Sequence, residues 1–176
     1  MRLSYFFEDL AKAYRAELED LHSDSEGKNV LAARLKDKRS QFSLLMPMID
    51  TAPEMVAVAF HGGVTFINPQ AMVMLSGSEP DDFPSWDDLA HSVHFEPATQ
   101  KLADIVLQER GGESFLITTV CLEYLHAKGN GAADNSHDDA HAEFEHDGDD
   151  SDEHEEKDLE EAGADWLAEQ GFDRRG

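Results

Sequence analysis

Four histidines, His137, His141, His146 and His154, stand among Asp138, Asp139, Asp147, Asp149, Asp150 and Asp152. Imidazole and carboxylate together form donor sets for divalent Zn²⁺, Ni²⁺ or Cu²⁺, and the His137-x₃-His141 spacing would set two rings on one helical face. The same stretch has little apolar mass and much like charge, which is the composition of a disordered, self-repelling segment. Its carboxylates do not follow the spacing of an EF-hand loop. His91 and His94 are spaced to share a helical face, with no third ligand named beside them. Cys121 is the lone cysteine, so there is no disulfide framework and no Cys-based zinc site.

A second constellation lies near the C-terminus. Leu159, Ala162, Gly163, Trp166, Leu167, Gln170 and Phe172 recur at helical spacing after a polyacidic run and before Arg174-Arg175. Acid at a helix N-terminus and Arg at its C-terminus suit the helix dipole, so a short helix is expected from about 158 to 171. Trp166, Leu167 and Phe172 are the candidate partner-binding residues, anchors of a peptide that folds into a partner's groove. The other reading is a helix that packs back on its own domain. Enzyme chemistry finds little support: the chain has no Gly-x-Ser-x-Gly elbow, no Gly-Lys-Ser/Thr phosphate loop and no His-Glu-x-x-His helix.

Those residues sit in a chain of 176 with a formal net charge of −24. Residues 130–176 hold 18 Asp/Glu against Lys157, Arg174 and Arg175, a net of −15, and residues 1–129 hold 20 against 11, a net of −9. Phosphate backbones and anionic lipid repel such a body, which argues against direct nucleic-acid or membrane partners. No run approaches the roughly 18–20 apolar residues of a membrane helix, and Met1 to Asp9 turns acidic where a signal peptide would stay apolar. A cytoplasmic protein is expected.

The positioning elements follow from the periods. Leu3, Phe6, Phe7, Leu10, Tyr14, Leu18 and Leu21 form the stripe of an amphipathic helix ended by Ser23 to Gly27. Val30, Leu31, Leu35, Phe42, Leu45, Met46 and Ile49 predict a second helix that meets Pro47 near its end. Lys28, Arg34, Lys36, Lys38 and Arg39 make its basic cluster, read either as a solvated face or as a docking patch for acid. Met55–Phe60 and Val64–Asn68, split by Gly62-Gly63, predict a β-hairpin. A short helix over Gln70–Leu75 follows Pro69, and Ser85 caps another that would bury Trp86, Leu89 and Val93. A helix is expected over Glu96–Arg110, stopped by Gly111-Gly112. The β-branched run Ser114–Leu125 predicts a buried strand, and Lys128-Gly129-Asn130-Gly131 closes the globular part.

Gly63-Val64-Thr65-Phe66-Ile67-Asn68-Pro69-Gln70-Ala71-Met72-Val73-Met74-Leu75-Ser76-Gly77 resembles the second strand and following helix of a PAS domain, where a strand runs into Asn-Pro-x-Ala and then Leu-x-Gly. Met48 to Val56, His94-Phe95-Glu96 and Gly111 to Phe115 resemble other parts of that family in order. The resemblance covers about residues 46–129, and the family's last two strands have no counterpart after Leu125. It implies an α+β fold with an antiparallel sheet and short helices, a sensory or interaction role, and room for a small apolar ligand in the core. The Asn-Cys-Arg helix of flavin-binding members and the helix histidine of haem-binding members have no equivalent here.

The expected organisation is N-terminal helices over 1–45, a PAS-like domain over 46–129, a disordered acidic linker over 130–157 and a recognition peptide over 158–176. The expected function is a non-enzymatic regulatory adaptor with a protein partner of basic surface, and an open sheet edge offers a route to a homodimer. The alternatives are an acidic nucleic-acid mimic that inhibits a basic DNA- or RNA-binding protein, or metal handling by the C-terminal histidines.

Overall fold

Ser4 opens the first helix, α1 (Tyr5–His22), its hydroxyl accepting the Phe7 N–H at 3.3 Å. The computed structural model describes residues 2–23 and 29–134, with side chains to residue 131. The expected stripe of α1 faces inward: Phe7, Tyr14, Leu18 and Leu21 are buried, and Leu3, Phe6 and Leu10 pack at the margin. The second expected helix is divided at Gln41 into α2 (Leu31–Ser40) and α3 (Phe42–Leu45), and a 3₁₀ turn follows over Met46–Met48.

Met55–Phe60 is not a strand. Pro53 opens α4 (Pro53–Ala57), which tightens into a 3₁₀ turn over Val58–Phe60. Val56 to Phe60 are fully buried, so this segment is apolar on every side and carries no period that separates helix from strand. The carbonyls at its end are met by the basic cluster of α2. Arg39 donates to the carbonyls of Ala59 (2.8 Å) and His61 (2.9 Å), and Lys38 donates to that of Met55 (3.1 Å). Arg34 reaches the Asp20 carbonyl at the end of α1 at 2.6 Å. Three cations of the cluster therefore staple helix ends within the fold.

The hairpin across Gly62-Gly63 is replaced by a long-range pair. β1 (Val64–Phe66) lies antiparallel to β2 (Val93–Phe95), with Val64 opposite Phe95, Thr65 opposite His94 and Phe66 opposite Val93. Val93 and Phe95 point into the core, while Thr65 and His94 face outward. Val93 thus belongs to a strand and not to the helix capped by Ser85. Between the strands, Asn68 caps α5 (Pro69–Ser76) by accepting the Ala71 N–H at 3.3 Å, and Ser85 caps α6 (Trp86–Leu89) by accepting that of Asp88. α7 (Pro97–Val106) follows where it was expected.

The largest correction concerns residues 114–125, which form part of α8 (Gly112–Asp134). Gly111 turns into it at φ 79°, and a Cβ on Gly112 would run into the Val106 carbonyl, so the Gly-Gly pair is a sharp helix-to-helix turn. α8 contacts α1, α4, α5, α6, α7 and β1, and Phe115 through Glu123 are all buried. A helix enclosed all round shows no amphipathic stripe. Its β-branched residues cost only a few tenths of a kcal/mol each in helix propensity. Burial of each large apolar side chain stabilises by about 1.5–3 kcal/mol and overrides that. Thr118 and Thr119 hide their hydroxyls on the carbonyls of Ser114 (2.8 Å) and Phe115 (2.9 Å). The helix also runs on through Lys128 to Gly131, the segment expected to end the globular part.

The result is an α+β fold, mostly helical, with a small two-stranded antiparallel sheet. Its core joins α1, α4, α5, α7 and α8 in one cluster, with Phe42, Phe60, Phe95 and Trp86 in successive ring contacts of 5.8–5.9 Å. Among the described residues no helix is long and apolar enough to cross a membrane.

Candidate functional site

Among the packed helices lies one buried carboxylate. Glu123 is the single charged residue in the run 114–125, and on α8 it is only 5% exposed. A charge there is tolerated only if its oxygens are hydrogen-bonded. Oε1 accepts the Tyr14 hydroxyl from α1 and faces His61 Nδ1 at 3.0 Å, and Oε2 accepts the Gly62 N–H at 3.2 Å. Since a carboxylate only accepts, His61 donates from Nδ1, which leaves Nε2 as its basic nitrogen when the ring is neutral. The positive φ of Gly62 (74°) turns that N–H toward α8, and Arg39 holds the His61 carbonyl from behind.

His126 lies three residues beyond Glu123 and therefore on the same face of α8. Its ring stands edge-on to His61 at 5.2 Å and to Tyr14 at 6.2 Å. Nε2 pairs with the Asn130 side-chain amide at 3.0 Å, while Nδ1 is buried without a partner. Whichever way that amide is turned, Nδ1 stays unpaired: an N–H if Asn130 donates, a bare lone pair if it accepts.

These contacts move the proton affinities in opposite directions. Burial alone would raise the Glu123 pKa, but the hydrogen bond and charge of His61, with the donors on Tyr14 and Gly62, hold it below the usual carboxylate value. Tyr14 is pushed well above a normal phenol by burial, and then by the charge and hydrogen bond of Glu123. His126 is lowered by burial first, then by His61 and Arg15, against an opposing pull from Glu123. At neutral pH the cluster holds an ionised Glu123, a protonated Tyr14 and a neutral His126. Chemically it is a carboxylate-oriented imidazole. Mechanically it ties α1, the 61–63 turn and α8 together.

The expected metal pair does not form on a helix. His91 lies in a 3₁₀ turn, His94 lies on β2, and both are exposed. No group of three or more His, Cys, Asp or Glu among the described residues is arranged to hold a metal ion. Cys121 is buried on α8, where burial pushes its thiol pKa up and makes it a poor nucleophile. Trp166, Leu167 and Phe172, and the histidines His137, His141, His146 and His154, lie outside the described residues.

Spacing placed Tyr14 in the stripe of α1 but did not connect it with His61, Glu123 and His126, because the four come from three distant parts of the chain. The one legible signal was the acid of Glu123 inside an apolar run. No protein-family model matches the chain, and no curated protein or solved structure matches it.

Proposed function

We propose that this chain is a non-enzymatic regulatory adaptor that works by protein–protein contact, through its folded body and an acidic C-terminal segment. The observation that carries the proposal is how charge and apolar anchors divide along the chain. Residues 130–176 concentrate a net of −15 ahead of Trp166, Leu167 and Phe172, while residues 1–129 carry −9. The polar groups that could do acid–base work support the same reading, because Glu123 is bonded to Tyr14, His61 and Gly62 within the fold. Acid then supplies steering and partner choice, and the aromatic anchors supply residence time. Kinship with PAS domains is part of the proposal. Its support is the segment from β1 through the Asn68 cap into α5, since the two longest runs expected as strands are helices.

The test is the partner list of Trp166→Ala against wild type, recovered from host lysate at low and high salt, with the folding of the variant checked by circular dichroism. The adaptor reading expects one defined partner to be lost while the fold is kept, and an unchanged list would sink it. The net charge of −24 favours a second reading, a nucleic-acid mimic seated in a basic groove. That partner should leave steeply with salt.

A further inference from the structure

Between Gln41 and Gln100 the chain contains neither Lys nor Arg, and five acids, Glu79, Asp81, Asp82, Asp87 and Asp88, fall together in that span. Glu79 is drawn aside, accepting the Tyr5 N–H at 3.1 Å. The other four lie exposed on the 3₁₀ turn Pro80–Asp82 and on α6. Two of them, Asp82 and Asp88, border a depression of about 360 Å³ between α5 and α6. Met74, Leu75, Pro84 and Leu89 give it an apolar lining, and Asp82 and Asp88 stand at its edge. Met74 is 71% exposed, a large apolar side chain held in water at the lip.

Asp88 accepts the Ser85 hydroxyl at 2.8 Å, and neither Asp82 nor Asp88 forms an ion pair among the described residues. An apolar floor with such an acidic rim selects its occupant by charge as well as shape. A second copy would bring its own net charge of −24. Residues 130–176, at −15, would also set acid against acid. Both are disfavoured by repulsion. We infer that the α5–α6 groove docks a partner's amphipathic helical segment in which an apolar anchor is flanked by Lys or Arg. The anchor enters beside Met74 and Leu89, and the cations meet Asp82 and Asp88. This rests on the adaptor reading and gives it a surface on the folded body, separate from Trp166.

The test uses full-length protein labelled with ¹³C-methyl methionine. The probe is a synthetic helical peptide with Leu at i, i+3, i+4 and i+7 between flanking lysines, and its control has Glu for each Lys. Near-physiological salt suppresses loose attraction to the acidic C-terminal segment. The groove predicts that the Lys peptide shifts the Met74 methyl and that the Glu peptide does not. Met74→Lys should weaken binding about tenfold, and Asp82→Asn with Asp88→Asn should weaken it less and flatten its salt dependence.

Binding that leaves the Met74 methyl unmoved, or that Met74→Lys does not weaken, overturns the proposal. So does a Met74 methyl that moves with protein concentration alone, which would mean a second copy, or on Trp166→Ala without peptide, which would mean the chain's own C-terminal segment. The Trp166→Ala partner list tests the adaptor reading independently of any of these results.

Discussion

Glu123 and the acids around the α5–α6 groove are the same kind of group kept in opposite ways. Glu123 lies in the core with three donors on its two oxygens. Asp82 and Asp88 lie in water beside an apolar depression. A buried carboxylate must be fully hydrogen-bonded or the fold loses several kcal/mol, so its geometry is dictated by the fold. An exposed one costs almost nothing, so its placement is open to binding. The same residue chemistry is architecture in one place and a candidate recognition feature in the other.

The sharpest way to break that contrast is to remove one acid of each kind. Glu123→Ala leaves the buried Tyr14 hydroxyl and the partly buried donors of His61 and Gly62 without their acceptor and should cost about 3–5 kcal/mol in urea unfolding. Asp82→Ala should stay within roughly 0.5 kcal/mol of wild type. Comparable losses for the two would end the distinction.

A smaller step isolates one contact. Tyr14→Phe keeps the ring packed against His126 and removes only the hydroxyl bonded to Glu123. A hydrogen bond to a charged group is worth about 1.5–3 kcal/mol, and a loss in that range is expected. The two changes should also be strongly non-additive, because Glu123→Ala has already removed the acceptor. Full additivity would show that the hydroxyl stabilises through something other than Glu123.

How legible each part was depends on how much of its surface meets water. α1, α5 and α7 expose one face, so a stripe or a cap (Leu3 to Leu21, Asn68-Pro69, Pro97) announces them. Residues 56–60 and 115–123 expose almost nothing, and with no polar face they lose the period that tells helix from strand. Length favoured a helix for the second run, since strands rarely exceed eight residues there, but its β-branched content pointed the other way. β1 was recognised and its partner was not. Glycine before a strand signals a turn, but Val93–Phe95 had to be brought back from the far side of two helices. Tyr14 and Glu123 stand 109 residues apart in sequence, and no local spacing encodes their meeting.

Within the Glu123 cluster, the smallest expected effect at neutral pH belongs to His126, its one member with an unpaired buried nitrogen. Leu in its place would lose the Asn130 contact and the edge-on rings, and would also remove that unpaired nitrogen. The net change at pH 7 should be less than about 1 kcal/mol. The difference lies in acid. The groups facing the ring are Tyr14, His61, Glu123 and Arg15, and its folded pKa is depressed from 6.5. Below pH 6.5 the unfolded chain takes up this proton more readily than the folded one, so stability falls with pH until the folded pKa is passed. Glu123, also depressed, adds a second loss that begins only below 4.5. The wild type should therefore lose stability in two stages, and His126→Leu should remove the first stage while keeping the second. Urea midpoints across pH 7 to 4 separate the two. An unchanged slope just below pH 6.5 in His126→Leu would mean that the first stage belongs to another histidine, and that His126 is no less willing to take a proton in the fold than in water.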